Sequence, residues 1–509
     1  MTAESEIAFS VTPMGCSRCK DAIGVQWRPE FAWPGYLLNM HRVIVVRNDH
    51  RAIVALLGVL GTVLLLLSFA VDMRLFFAAG GLLVLFVALI PVAASRTYDC
   101  FCPWSAFVIG ILYGCTFPSI CMSFDLPNRR FVDQNILLGH RPVFFILPTI
   151  MIISTVMFAA IGYFGTPHSR IQQGSRRVID SNRIFKVCSA CVIASSIAFV
   201  AFFSVHKGIE NGISTKRLNR AAIVGESQSA HTGVLRQFAK LSVFGLFLLA
   251  ANMGSRLQRN RRQRFSSRAL LLGLFLISML LPFYASSRAG IVWIMIGLAG
   301  ILYYNHQTLV APRRFIAIVT VAVLVLFVTV SRNDGLKHKQ DMMDRIGRLL
   351  LNRHGPDIAV TSHIVGNIPR KLEFQYGKTM LVWLWAPVPR AAVKDKPIVH
   401  SGPTIGRKIY SLNGSGVPPG ITAELYWNFH WLGLLTGSLL LGILMKSTYQ
   451  YCKNNAADLS LVAPVYMFAV FPLAFKISTH SFGYGIVMNL VDLAIACLIT
   501  ACASKNWQE

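Results

Sequence analysis

Long apolar runs separated by short polar segments dominate the chain, and this pattern predicts membrane-spanning helices. A helix needs about 20 consecutive apolar residues to cross the hydrocarbon layer of a bilayer. On that criterion the sequence predicts twelve helices. They are Ala52–Val71, Leu75–Ala94, Pro103–Met122, Val143–Gly165, Ile184–His206, Leu241–Met253, Ala269–Ala285, Gly290–Tyr304, Phe315–Val330, Leu425–Met445, Leu461–His480 and Tyr484–Ala503.

The longest interruption of the apolar pattern is the segment 332–424, which predicts one large loop between the ninth and tenth helices. The predicted organisation therefore has five parts. They are an N-terminal tail (1–51), helices one to nine (52–331), the large loop (332–424), helices ten to twelve (425–503) and a C-terminal tail (504–509).

Composition agrees with an all-α integral membrane protein. The 509 residues are 54% hydrophobic and only 14% charged, and mean hydropathy is +0.54. The formal net charge of +27 lies mainly in the predicted loops. It therefore indicates contact with anionic lipid headgroups or an anionic substrate, whereas a nucleic acid partner does not fit basic residues split among membrane loops.

The distribution of arginine and lysine predicts the orientation. Basic residues cluster in Arg256–Arg268, Arg170–Arg183, Arg313–Arg314 and the N-terminal tail, which all fall on one face of a twelve-helix arrangement. The positive-inside rule makes that face cytoplasmic. An even number of helices places the C-terminal tail there too. The basic segments 207–240 and 332–410 then lie on the outer face, against the trend, so their charge predicts a function other than orientation.

Fourteen lysines and arginines between Arg332 and Tyr410 face six acids, and further cations belong to shorter outer segments. Guanidinium groups bind phosphate oxygens bidentately and stay charged at any relevant pH. Cations converging from separate segments would hold a pyrophosphate without a metal. Candidates for this role are Arg217, Arg220, Arg288 in the SSRAG turn, Arg353 in RHGPD, Arg390 and Lys396. The alternatives for each are an ion pair with a loop acid, a bond to a helix-end carbonyl, or contact with lipid headgroups.

No DxD, HExxH or regularly spaced carboxylate pair is present, so the sequence predicts no metal and no cofactor. Cys16 and Cys19 form a CxxC and Cys100 and Cys102 a CxC. Four thiolates would suit zinc, but their irregular spacing disfavours such a site.

The start of the predicted tenth helix carries further candidates. Glu424 and Asn428 stand at i and i+4, on one helical face. Glu424 suits either the helix dipole or a catalytic or substrate-acceptor-binding role. Tyr426 suits either the membrane interface or stacking on a sugar ring. Lys476 and Asp492, inside the last two helices, predict a structural salt bridge.

The SSRAG turn and the string PR…KP…GVPPGITAELYWNFHWLG resemble the Wzy-type polymerases of O-antigen and exopolysaccharide repeat units, loosely over helices four to twelve. That family has glutamate, tyrosine, asparagine, phenylalanine and glycine at the start of the helix after its large loop. Glu424, Tyr426, Asn428 and Phe429 match this pattern, and His430 replaces the glycine.

The resemblance implies a GT-C-like fold in the bacterial inner (cytoplasmic) membrane, with the large loop in the periplasm. It implies transfer of a growing glycan from undecaprenyl pyrophosphate to a second lipid-linked repeat unit, with a chain-length regulator and a flippase as partners. Arg288 would stabilise the pyrophosphate leaving group. Glu424, His354 and His363 are the candidate general bases, and Tyr426 and Asn428 would contact substrate.

Three other functions remain open. An O-antigen ligase shares the donor but transfers to lipid A core. A flippase or transporter of lipid-linked oligosaccharide also commonly has twelve helices, but it should place charge in a central cavity rather than in a long outer loop. A membrane scaffold that recruits assembly proteins through the basic loop is the third.

Overall fold

The computed structural model describes a largely helical chain. The described residues are 44–45, 48–70, 72, 74–95, 97–123, 143–167, 178–179, 181–205, 235, 237–253, 261–284, 288–306, 356–385, 401–411, 416–454, 459–480 and 482–505. All of them belong to the unit Val43–Glu509.

The helices are numbered in chain order. They are α1 Asn48–Ala70, α2 Arg74–Ala94, α3 Pro103–Ser123, α4 Val143–Gly165, α5 Ser181–Val205, α6 Leu241–Met253, α7 Arg261–Tyr284, α8 Arg288–His306, α9 Ile358–Gly366, α10 Lys378–Leu381 with the 3-10 turn Val382–Trp385, α11 Ser401–Tyr410, α12 Gly420–Asn454, α13 (459–479) and α14 Phe482–Ala503.

Seven of these helices are long and apolar enough to cross a membrane, and four shorter apolar helices accompany them. A helix lies at every predicted position except the ninth, Phe315–Val330, which is outside the described residues. Helices form there because a backbone in lipid must satisfy its own hydrogen bonds. The membrane character of the chain is thereby confirmed, while the count of twelve and the GT-C-like fold stay predictions.

Two helices that pack together, α3 and α13, share the same local irregularity. Each contains a five-residue π-helical segment, Leu112–Thr116 in α3 and Tyr466–Val470 in α13. A proline follows closely in both cases, Pro118 and Pro472. Proline lacks an N–H and collides with the carbonyl four residues earlier, so the wider π turn accommodates it without ending the helix.

The helix predicted as Leu425–Met445 is wrong as a single straight span. Backbone angles leave the helical region at Phe429 (φ −139°, ψ 20°) and His430 (φ 58°, ψ −151°). A Cβ on Gly437 would overlap the Leu425 side chain, although residues twelve apart in a straight helix are separated by about 18 Å. The chain therefore doubles back, and α12 consists of a short arm (420–428) and a long arm (431–454).

The long arm packs tightly against α4. A Cβ on Gly442 would overlap the carbonyl of Ala159, and one on Gly162 would overlap the carbonyl of Leu439. Small residues at such a crossing let two helix backbones approach closely, which is how helices associate where water provides no hydrophobic driving force.

We call the end of the bundle that carries residues 356–385 the outer end and the opposite end the inner end, following the predicted topology. Two short antiparallel pairs lie at the inner end: β1 (Ile44–Val45) with β2 (Thr97–Tyr98), and β3 (Val178–Ile179) with β4 (Ser504–Lys505). Each pair joins segments that the predicted topology places on the same face.

A cluster of tyrosine hydroxyls fastens the inner helix ends, and we call it the inner tyrosine cluster. Tyr304 (3.1 Å) and Tyr449 donate to Asp99 Oδ2, and Tyr466 donates to the carbonyl of Phe101 at 2.7 Å. The cluster ties α8, α12 and α13 to the segment between α2 and α3.

The expected Lys476–Asp492 salt bridge needs correction. Asp492 pairs instead with Lys240, with 3.2 Å between Nζ and Oδ1, while the ammonium of Lys476 donates to Asn489 Oδ1 at 3.3 Å. Position along α13 and α14 alone did not reveal that Lys240, just before α6, lies closer to Asp492.

Candidate functional site

The described parts of the large loop fold into a cap on the outer end. This outer cap comprises residues 356–385, 401–411 and 416–428, and it has an apolar core of its own, separate from the core of the bundle. The core residues are Val360, Ile364, Ile368, Leu372, Ile405, Val417, Ala423 and Trp427. The loop is therefore a folded element rather than a tether between two spans.

The helix α9 anchors the cap deep between α2 and α4. A Cβ on Gly80 would lie 2.7 Å from Cδ1 of Ile358, and one on Gly366 would lie 2.9 Å from the Phe144 ring. Phe144 is near the outer start of α4. Because the last residue of α9 contacts Phe144, α9 begins inside the bundle and runs toward the outer end. Asp357 caps its N-terminus by accepting from the Val360 N–H at 2.9 Å, and this carboxylate is only 1% exposed.

The floor of the cap is formed where the loop meets the turn between α13 and α14. Gly420 adopts φ +66° and would overlap Pro356 if it carried a Cβ. Its N–H donates to the His480 carbonyl at 2.7 Å. A left-handed backbone this close to a proline requires glycine. The VPPG string thus sets the position at which the short arm begins, inside the bundle.

Glu424 lies on this floor and is 1% exposed. Its Oε2 accepts from the N–H of Phe482, the first residue of α14. A carboxylate is favourable at a helix N-terminus, where unpaired N–H groups and the helix dipole meet. The helix it complements is α14 and not its own, so Glu424 has an architectural contact beside its predicted role as a base.

Asn428 fixes the middle of the loop to the short arm. Its Oδ1 accepts from the Gly377 N–H at 2.9 Å, and its Nδ2 donates to Thr379 Oγ1 at 2.6 Å and to the Glu424 carbonyl at 2.8 Å. With 0% exposure the amide is fully engaged by the protein. A substrate contact for Asn428 stays a prediction, and the structure gives it a positioning role. Thr379 was not among the predicted residues, since nothing in its sequence context marks it.

Tyr426 faces a group of aromatic rings at the break in α12. Its ring centroid lies 4.8 Å from His430, 6.3 Å from Phe374 and 6.4 Å from Trp431. Tyr426 is half-buried and His430 is exposed, so this aromatic group forms part of the cap surface. Such faces can stack on sugar rings, as the sequence suggested for Tyr426.

His363, a predicted base, lies on α9 between two rings. Tyr410 stacks on it with centroids 5.8 Å apart, and Phe144 meets it edge-on at 6.1 Å. The Tyr410 hydroxyl is buried and has no hydrogen-bond partner among the described residues. Burial raises the pKa of this phenol well above its usual range, and the charge of Asp357 raises it further.

Exposed cations cover the cap. They are Arg370, Lys371, Lys378, Arg407 and Lys408. Within the described parts of the chain, none of these side chains makes a hydrogen bond or an ion pair. Glu373 is the exposed acid among them. The described cap therefore presents a positively charged outer surface.

The structure does not describe the side chains of the remaining predicted site residues. Arg217, Arg220, Arg353, His354, Arg390 and Lys396 lie outside the described residues, and Arg288 is described only as the first backbone position of α8. The convergence of these cations stays a prediction. No group of three His, Cys, Asp or Glu side chains suited to a metal occurs among the described residues, and metal independence likewise stays a prediction.

These features define a helical, multi-pass membrane protein whose bundle carries a folded, basic cap at one end. Comparison of the chain with protein-family models, with curated proteins and with solved structures finds no match.

Proposed function

We propose that this protein is a membrane glycosyltransferase that joins lipid-linked oligosaccharide repeat units at its outer face, as Wzy-type polymerases do. The observation that carries the proposal is the outer cap, whose exposed cations make no ion pair with any described residue. Re-entrant elements inside the bundle hold this cap in place. Such a surface suits a pyrophosphate whose lipid tail stays in the bilayer. A fixed cap with its own core favours an enzyme over a carrier, which must move its ligand through the bundle.

The break in α12 adds support. His430 holds φ 58° and ψ −151°, a conformation that is essentially restricted to glycine. This is the position at which the Wzy-type pattern has glycine. The glycine-like backbone at His430 therefore supports the resemblance, together with the local match of Glu424, Tyr426, Asn428 and Phe429.

In the proposed reaction an acceptor hydroxyl attacks the anomeric carbon of the donor, and the bond to the pyrophosphate oxygen breaks. The proton passes to a base, for which His354, His363 and Glu424 are candidates, and the lipid pyrophosphate leaves. Cations near the leaving oxygens stabilise the charge that develops there, and tethering both substrates to one membrane favours their encounter.

Lipid-linked glycan from a deletion strain tests the proposal. A polymerase predicts single repeats on the lipid carrier, whereas long lipid-linked chains without surface glycan would indicate an O-antigen ligase. A flippase predicts that repeats remain on the cytoplasmic face, and that outcome would overturn the proposal.

Purified protein tests the chemistry itself. Arg288→Lys should lower polymerisation by about 10²–10³-fold, the usual cost of losing one preorganised donor, because ammonium cannot replace a bidentate guanidinium. Lys337→Ala on the same outer face is the control and should polymerise normally, and both proteins should reach the membrane in equal amounts. Activity should persist in a strong chelator. An Arg288→Lys protein as active as the parent would exclude this arginine from the pyrophosphate site.

A further inference from the structure

The inner end of the long arm contains a buried cation that no prediction and no part of the proposed function uses. Lys446 is 9% exposed. Its Nζ lies 5.1 Å from the centroid of the Tyr163 ring and 6.0 Å from that of Tyr449. Within the described chain the ammonium makes no hydrogen bond and no ion pair.

Among the residues that the structure describes, no carboxylate pairs with this lysine. Beside the Tyr163 and Tyr449 rings, Cys102 and Lys453 are close enough to act electrostatically on its ammonium. The one nearby acid of the inner tyrosine cluster, Asp99, already accepts from the Tyr304 and Tyr449 hydroxyls and from the Phe101 N–H at 2.8 Å. A buried ammonium without an anion is costly, and aromatic faces offset only a part of that cost.

A second cation completes the arrangement. Lys453 Nζ lies 6.0 Å from the same Tyr449 ring, and Lys453 is exposed. Because the Tyr449 hydroxyl is held by Asp99, the ring that both lysines contact has a fixed orientation. Two cations beside one rigid ring can hold the oxygens of a single anion between them.

The position of Lys446 indicates the chemistry of that anion. Four residues further along α12, Gln450 donates to the Pro167 carbonyl just beyond the end of α4 at 2.9 Å, so Lys446 lies about 6 Å inside that end. Leu440, Leu444 and Tyr451 on the same arm are exposed, as is typical of a surface that faces lipid. Phosphates are the anions concentrated at the cytoplasmic boundary of a bilayer.

We propose that Lys446 and Lys453, with Tyr163 and Tyr449, form a binding site for a phosphate group at the inner end of the bundle. The phosphate belongs either to the headgroup of an anionic phospholipid or to a soluble phosphate. This proposal does not depend on the proposed function, because the site lies at the end opposite the outer cap.

Native mass spectrometry of delipidated protein titrated with phosphatidylglycerol tests the site. Lys446→Met keeps the length of the side chain and should weaken phosphatidylglycerol binding about 10–100-fold, the range expected for a lost charge-assisted contact. Lys446→Arg should retain most of the binding. The matched control is Lys186→Met, which removes an exposed cation of α5 and should leave the affinity unchanged.

Two further titrations assign the source of the phosphate and guard against misfolding. Binding of diacylglycerol, a lipid without a phosphate group, should be equal in all variants, which shows that the fold is intact. Stabilisation of the parent protein by inorganic phosphate, lost in Lys446→Met, would assign the site to a soluble phosphate instead. Equal phosphatidylglycerol affinity in the parent and Lys446→Met, with no effect of inorganic phosphate on either, would overturn the proposal.

Discussion

The outer cap and the inner tyrosine cluster both fasten helix ends, yet they do so by different means. In the cap, the buried side chains of Asn428 and Asp357 accept from the backbone N–H groups of Gly377 in the loop and Val360 in α9, and the cations remain exposed on the surface. In the inner cluster, hydroxyls from three helices meet one short segment, and the buried cation of Lys446 lies beside the ring of Tyr449. The cap therefore carries its positive charge on the surface, whereas the inner end encloses a cation between aromatic rings.

The largest loss of stability is expected at the crossing of α4 and the long arm of α12, which supports both regions. Gly442→Leu would force a side chain into the Ala159 carbonyl, and a backbone at a close helix crossing cannot yield as a side chain does. Overpacking ordinarily costs about 1–3 kcal/mol, so we expect a loss at or above the top of that range. Size-exclusion profiles after heating should show early aggregation.

The control for this crossing is Gly273→Leu on α7, where nothing lies within 4 Å of the added Cβ. It should melt like the parent. Equal melting of Gly442→Leu and the parent would mean that α4 and the long arm do not approach as closely as described.

The next largest effect should be confined to the outer cap and leave the inner tyrosine cluster unchanged. Asn428→Leu leaves the buried Gly377 N–H without its partner and removes the bond from the amide to the Thr379 hydroxyl. An unpaired buried group costs about 1–3 kcal/mol. Hydrogen exchange of peptides covering 373–385 should rise, while exchange around Asp99 and Tyr449 stays unchanged. Thr436→Ala removes only an exposed bond to its own helix and serves as the control. Unchanged exchange in 373–385 would show that Asn428 does not hold the loop.

A complementary substitution weakens the inner tyrosine cluster and leaves the outer cap intact. Tyr449→Phe removes a hydroxyl that donates to the Asp99 carboxylate, and hydrogen bonds to charged groups contribute about 1.5–3 kcal/mol. Exchange should rise in 97–102 and near Tyr466, and the cap should keep its protection. A simultaneous rise in the cap would show that the two regions open together as one unit.

The smallest effect concerns the break in α12. His430→Gly and His430→Ala both remove the imidazole, but only glycine tolerates the observed backbone without strain. The glycine variant should therefore be about 1 kcal/mol more stable than the alanine variant in thermal melts. An alanine variant that equals the glycine variant would argue against a left-handed backbone at this position.

Helix positions could be predicted from the sequence because apolar length is a physical requirement of the bilayer, and α1 to α8 lie where the pattern placed them. The reversal of chain direction at Phe429 and His430 could not be predicted from the sequence. The segment Gly420–Lys453 is apolar enough to be taken for one membrane span, and neither residue at the break is proline or glycine. Hydropathy does not report a change in chain direction.

The candidate site shows the same limit. The i, i+4 spacing placed Glu424 and Asn428 on one face, and the structure agrees, since Asn428 donates to the Glu424 carbonyl. Their decisive partners are far away in the chain: Gly377 lies 51 residues from Asn428 and Phe482 lies 58 residues from Glu424. Contacts of that separation depend on how the loop folds back, and no local pattern encodes them.

The separation between Glu424 and Phe482 also has a consequence for biogenesis. Ribosomes add about 5–20 residues per second, so Glu424 emerges roughly 3–12 s before the 58 residues to its partner have been made. A carboxylate is costly within a bilayer before it finds a donor, and the short arm has too few residues to span alone. The short arm can therefore take its final place only after the translocon has released α13 and the start of α14. The outer cap, whose floor it forms, is therefore completed only after the start of α14 has been made.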